Sequence, residues 1–159
     1  MGAEIFVDSC SPEETRSLGA KLGEEIREGD VIALQGPLGA GKTCLVQGIA
    51  RGLGVDPQVP VTSPTFTLVG EYPSRIPLRH ADFYRVEDSR RLDDAGFRDL
   101  LDGKGVLVVE WPERFPDALP EERLEIRIEI RSECERRLTL RAHGPRAEGR
   151  LRRMQERWR

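Results

Sequence analysis

The chain has 159 residues, 33% of them charged and 38% hydrophobic, and a net charge of −3. This suits one ordinary domain with a buried core, and no apolar run nears the roughly 18 residues of a membrane-spanning helix. Cys10, Cys44 and Cys134 are widely spaced with no C-x-x-C, and His80 and His143 stand far apart, which argues against a disulfide framework or a zinc site and for a reducing cytoplasm.

The first residues read as neither a signal peptide nor a myristoylation site, since Phe6 stands where the acyl signal needs Ser or Thr. Glu4–Asp8 predicts a short strand. Ser11-Pro12-Glu13-Glu14 then starts a helix, with a capping hydroxyl, proline at the first helical position and acids in the first turn. Leu18, Leu22 and Ile26 give that helix one apolar stripe, ending before Gly29.

The most informative stretch follows. A strand at Val31–Leu34 runs into Gly36-Pro37-Leu38-Gly39-Ala40-Gly41-Lys42-Thr43 and then a helical pattern carrying Leu45, Val46, Ile49 and Leu53. This is G-x-x-x-x-G-K-[ST] between a strand and a helix, the context that gives the pattern meaning. Glycines let the backbone turn so that successive N–H groups converge on phosphate oxygens, and the helix start adds its positive dipole end. Lys42 is expected to meet the outer phosphates, and the Thr43 hydroxyl to ligate magnesium. Gly36 to Cys44 is thus the expected ATP-binding segment, although Cys44 itself reads as a small packing residue inside the helix. Gly52 and Gly54 are expected to end that helix.

Val55–Pro64 carries three prolines and reads as a loop. Thr65–Tyr72 and Leu78–Val86 predict two strands joined through Pro73–Pro77, and Asp88–Gly96 and Phe97–Leu101 short helical segments. Gly105–Glu110 is a continuously apolar strand suited to the middle of a parallel sheet. Arg123–Arg131 and Arg136–Arg141 alternate as an antiparallel hairpin would. From Arg146 a helical tail places Leu151, Met154 and Trp158 on one side. Between Arg141 and Arg159 seven arginines meet two glutamates, a net +5 against −3 overall, so the remainder carries −8. Such a tail can touch RNA, an acidic partner face, or water alone.

A phosphate loop needs carboxylates opposite it. Glu110, at the carboxyl end of the most apolar strand, is the first candidate for magnesium, and Asp82 the second, the two sharing metal coordination and water positioning. Ser63-Pro64-Thr65 lies where phosphate-binding ATPases and GTPases carry a mobile segment sensing the γ-phosphate, so a hydroxyl there either binds phosphate or magnesium or caps a turn. Trp111 either stacks on a ligand or packs in the core. The chain has no asparagine, hence no N-K-x-D guanine-reading motif, which favours ATP over GTP. The residues alone leave open a regulatory ATPase, a small-molecule or nucleoside kinase with Asp82 as base and Arg79, Arg85, Arg90 and Arg91 as a phosphate clamp, and a nucleotide-binding assembly module.

The phosphate loop, Ser63-Pro-Thr-Phe-Thr-Leu-Val69, His80-Ala-Asp-Phe-Tyr-Arg85 and Val108-Val-Glu-Trp-Pro-Glu113 occur in that order. Together they closely resemble the bacterial TsaE (YjeE) family, the ATPase of tRNA threonylcarbamoyladenosine biosynthesis. The resemblance implies Lys42, Asp82 and Glu110 as catalytic, Thr43 and Glu110 as magnesium-binding, Thr65 as a switch-like threonine and Trp111 as lying near the nucleotide. It implies the partners TsaD and TsaB, which reach tRNA through their complex, and ATP hydrolysis that is weak alone. The expected fold is α/β, a P-loop NTPase-like sheet with a mostly parallel core, antiparallel strands and helices on both faces. Residues 1–145 would form the ATPase domain and 146–159 a basic C-terminal helix or tail. Ser11–Glu13 and the residues after Trp111 are the candidate surroundings of the adenine.

Overall fold

The computed structural model describes residues 4–64 and 66–158. In chain order it contains β1 (Glu4–Ser9), α1 (Pro12–Glu25), β2 (Val31–Gln35), α2 (Lys42–Leu53), β3 (Val69–Tyr72), β4 (Leu78–Asp82), α3 (Ser89–Asp94), β5 (Val106–Glu110), β6 (Arg123–Ile130), β7 (Arg136–His143) and α4 (Pro145–Arg157). The seven strands form one sheet in the order β1-β7-β6-β2-β5-β4-β3. Its centre, β6, β2, β5 and β4, is parallel, while β1, β7 and β3 pair antiparallel at the two edges.

Both faces carry helices, unevenly. α1, α2 and α4 share one core with Ile32, Leu34, Val108, Ile126 and Leu140. On the other face α3 and short 3-10 turns cover only the β3-β4-β5 half, around Phe83, Leu92, Phe97 and Val109. The remaining half shows charged rungs such as Asp8–Arg137 and Glu4–Arg141, as expected for an alternating strand with one wet face. Among the described residues no helix is long and apolar enough to cross a membrane.

Ser11 caps α1 as expected, accepting from the Glu14 N–H at 3.0 Å. The predicted stripe is buried, with Leu22 and Ile26 each 1% exposed in the main core, and a second contact lies beside it. Leu18 is only half-buried, and Gly19 and Gly23 are buried against Gly48 and Gly52 of α2. Gly52 therefore lies inside α2, which ends at Gly54 in the left-handed region (φ 91°). Two strands are shorter than predicted. Phe66–Leu68 forms a turn, closed by the Leu68 N–H on the Pro64 carbonyl at 2.9 Å with Leu68 at φ 69°, so β3 starts only at Val69. β4 stops at Asp82 because the chain folds over from Phe83 to Val86, whose N–H returns to the Phe83 carbonyl at 3.1 Å.

The basic tail is tied down. α4 buries Leu151 and Met154 completely, Arg146 and Arg150 pair with Asp30 at 3.2 and 3.0 Å, and Arg157 pairs with Glu25. Much of its charge thus answers acids of its own chain.

Candidate phosphate and metal site

β2 lies between β5 and β6, and the chain leaves its carboxyl end into Gly36–Gly41 before α2 begins. Gly39 and Gly41 adopt φ 80° and 106°, a region costly for any residue with a Cβ, so glycine lets the loop turn there without strain. Pro37, Leu38 and Gly39 are exposed and Ala40 is buried. Arg136, at the start of β7, donates to the carbonyls of Ala40 (3.2 Å) and Gly39 (3.4 Å) and fixes the loop from outside. Nothing in the local sequence announces that role.

Lys42 is 6% exposed. Its ammonium donates to the Gly36 carbonyl and sits 3.7 Å from the centre of the Trp111 ring. Burial lowers its pKa, opposed by Glu110, Glu113 and Asp82. Trp111 is itself in the left-handed region (φ 57°) and leans on Tyr84 at 4.9 Å between ring centres. A non-glycine residue held there marks a place where the surroundings override backbone preference.

Parallel pairing sets Asp82 beside Glu110. His80, Asp82 and Glu110 are all buried, at 0, 4 and 2% exposure. Glu110 Oε2 accepts from the Ser63 hydroxyl at 2.7 Å and lies 2.6 Å from His80 Nε2. Ser63 Oγ in turn lies 3.1 Å from Thr43 Oγ1. A carboxylate only accepts and a hydroxyl has one proton, so Ser63 donates to Glu110 and Thr43 donates to Ser63. Among the described residues no donor reaches the lone pairs of Thr43. Burial pushes the Glu110 carboxyl up, but the His80 and Ser63 hydrogen bonds and Lys42 outweigh it and hold the pKa below the usual value. Asp82 moves the other way: burial raises it, against the Tyr84 N–H it accepts at 2.8 Å.

The structure thus brings together Gly36–Thr43, Asp82, Glu110 and Trp111. Thr65 lies outside the described residues. Cys44 faces a cleft of about 350 Å³ beside the loop, lined also by Cys10, Ser11, Pro12, Gly41 and Cys134. That cleft adjoins the Ser11–Glu13 stretch; the residues after Trp111 do not line it. Ser63 and His80 carry more of the geometry than the sequence reading gave them. The signal for His80 was its position two residues before Asp82, on the same face of a strand.

Polyphosphate at this loop would compete with the indole for the Lys42 ammonium, because a charge-assisted bond outweighs an aromatic contact. Tryptophan emission is therefore expected to change on adding magnesium–ATP to the wild type and to stay flat in Trp111→Phe, leaving Trp158 as the only indole. Equal responses would detach Trp111 from the site.

A glycine-rich loop at the parallel centre of a mixed sheet, with acids on the neighbouring strand ends, makes this an α/β protein with a P-loop-like fold. Residues 9–138 match the family model described as threonylcarbamoyl adenosine biosynthesis protein TsaE. The chain is 42% identical over 141 residues to the tRNA threonylcarbamoyladenosine biosynthesis protein TsaE of Bacillus subtilis, covering 88% of this chain and 87% of that one. It is 45% identical over 106 residues to that of Treponema pallidum, covering 67 and 77%. A crystal structure of Bacillus subtilis YdiB superposes with a TM-score of 0.81 at 34% identity over 100% of this chain and 99% of that one. The chain belongs to the TsaE family, which serves threonylcarbamoyladenosine biosynthesis on tRNA.

Proposed function

We propose that the protein binds and slowly hydrolyses magnesium–ATP, and that this activity supports a TsaB–TsaD complex forming N6-threonylcarbamoyladenosine beside the tRNA anticodon, in the cytoplasm. The observation that carries this reading is the convergence of the Lys42 ammonium, the Thr43 and Ser63 hydroxyls and two buried carboxylates at the carboxyl ends of β2, β4 and β5.

The donor set fits magnesium. Every candidate ligand is a hard oxygen, and among the described residues no group of three His, Cys, Asp or Glu could hold a metal unaided. Magnesium is commonly held by one or two protein oxygens together with substrate phosphates and water. Thr43 and Glu110 would hold it, and when bound it would neutralise charge developing on the phosphates. Lys42 would do the same from the loop side, its pKa rising again as the phosphates offset its burial. With Glu110 Oε2 already occupied by Ser63 and His80, Asp82 is the carboxylate left to orient an attacking water. The cleft beside Cys44 and Ser11 would take the nucleoside.

The test is phosphate release, alone and with the TsaB–TsaD pair. Slow release from the free protein and a marked rise with the pair are expected. Glu110→Gln should cut turnover by about two orders of magnitude and nucleotide affinity by far less. No stimulation by the pair, with ATP consumed instead on adding a nucleoside, would favour a kinase and overturn the proposal.

A further inference from the structure

His80 is the one histidine of the sheet interior, and its side chain has no exposure at all. It projects from β4 on the same face as Asp82, and its Nε2 is 2.6 Å from Glu110 Oε2. Its other ring nitrogen, Nδ1, is buried with no hydrogen-bond partner among the described residues. These facts fix the tautomer. A proton on Nδ1 alone would set two lone pairs against each other at Nε2 and Oε2 and strand a buried donor. With the proton on Nε2 the short contact becomes a hydrogen bond, and only an acceptor goes unmatched, the less costly defect.

Two donors, His80 and Ser63, then converge on one oxygen of Glu110. The carboxylate cannot rotate without breaking both bonds, and among the described residues no protein donor reaches Oε1. A leucine is close to an imidazole in size but has no N–H, so His80→Leu removes the donor to Glu110.

We propose that His80 is a positioning residue for the metal site: it clamps Oε2 of Glu110 so that Oε1 is held toward the bound divalent cation. The proposal rests on the magnesium–nucleotide reading above. Partners of this kind, one bond removed from the cation, typically change metal affinity by about 10–100-fold when lost.

The experiment measures free Mn2+ by electron paramagnetic resonance, titrating Mn2+ into protein saturated with ADP, alongside ADP affinity measured in EDTA. His80→Leu is expected to weaken Mn2+ binding by about 10–100-fold with metal-free ADP affinity unchanged. His80→Gln, whose side-chain amide reaches about as far as Nε2, is expected to restore it to within a few-fold. In a Glu110→Gln background, His80→Leu should cause no further loss. Should the leucine variant fail to fold, His80→Asn, whose amide reaches only as far as Nδ1, supplies the weakened arm. Unchanged Mn2+ affinity in these variants, a glutamine variant as weak as leucine, or further loss in the Glu110→Gln background would overturn the proposal. Nucleotide binding by the wild type that ignores Mn2+ would overturn the magnesium reading itself, and is seen without any His80 variant.

Discussion

Replacing Lys42 with alanine should weaken magnesium–ATP binding by about 30-fold to several thousand-fold, since truncating one partner of a buried charge pair costs roughly 2–5 kcal/mol. The side chain is poised for this in the free protein. It is 6% exposed, and its charge is kept by the Gly36 carbonyl, the Trp111 face and the carboxylates of Glu110 and Asp82. None of these partners neutralises it the way phosphate oxygens would, so its burial is compensated most fully when a polyphosphate arrives. The variant should still fold, because α2 is held by Leu45, Val46, Ile49 and Leu53, all buried. Calorimetric titration of the folded variant checks this. Retained tight binding would refute the site assignment, whereas loss of binding together with a lowered melting temperature would point to a structural role.

The second large effect concerns stability. Gly48→Ala is expected to destabilise the protein by about 2 kcal/mol and Gly48→Leu by more, although alanine in a helix normally gains about 1 kcal/mol over glycine. A Cβ on Gly48 would stand 2.1 Å from the Arg16 carbonyl oxygen of α1. The same holds at Gly52 against Ala20 (2.2 Å), Gly19 against Leu45 (2.4 Å) and Gly23 against Ile49 (2.5 Å). These atoms are backbone and cannot swing aside, so α1 and α2 would have to separate and uncover the core between them. The control lies in α4, where a Cβ on Gly149 would meet nothing within 4 Å. Gly149→Ala should therefore stabilise by about 1 kcal/mol on propensity alone. Urea midpoints for the two alanine variants test the contrast, and a shift of the same sign in both would defeat it. The consequence reaches the site, because α2 begins at the phosphate loop and α1 brings Ser11 and Thr15 to the neighbouring cleft.

The apolar spacing of Leu18, Leu22 and Ile26 marks the face of α1 that is buried, but it does not show how closely α1 and α2 approach, which the residues with no side chain decide. Two glycine pairs, each spaced by four, were visible in the chain, but their partnership depends on two helices crossing closely. Phe66-Thr-Leu-Val69 has strand composition, and the turn at Phe66–Leu68 overrides it up to Val69. The arginines of the tail could not be divided between binding and structure until Asp30 and Glu25 were seen opposite them.

By itself the sequence determined the strand–loop–helix unit at Val31–Leu53, the acid at the end of β5, and the hairpin of β6 and β7 with one wet face. Those features depend on short-range sterics and on side-chain periodicity, which neighbouring residues fully specify. Only the tertiary structure decided that β2 sits between β5 and β6, that Ser63 bridges Thr43 to Glu110, and that His80 grips the same carboxylate. Ladder register and helix crossing set those neighbours, and they join residues as far apart as Ser63 and Glu110, or Arg136 and Ala40, that no local pattern connects.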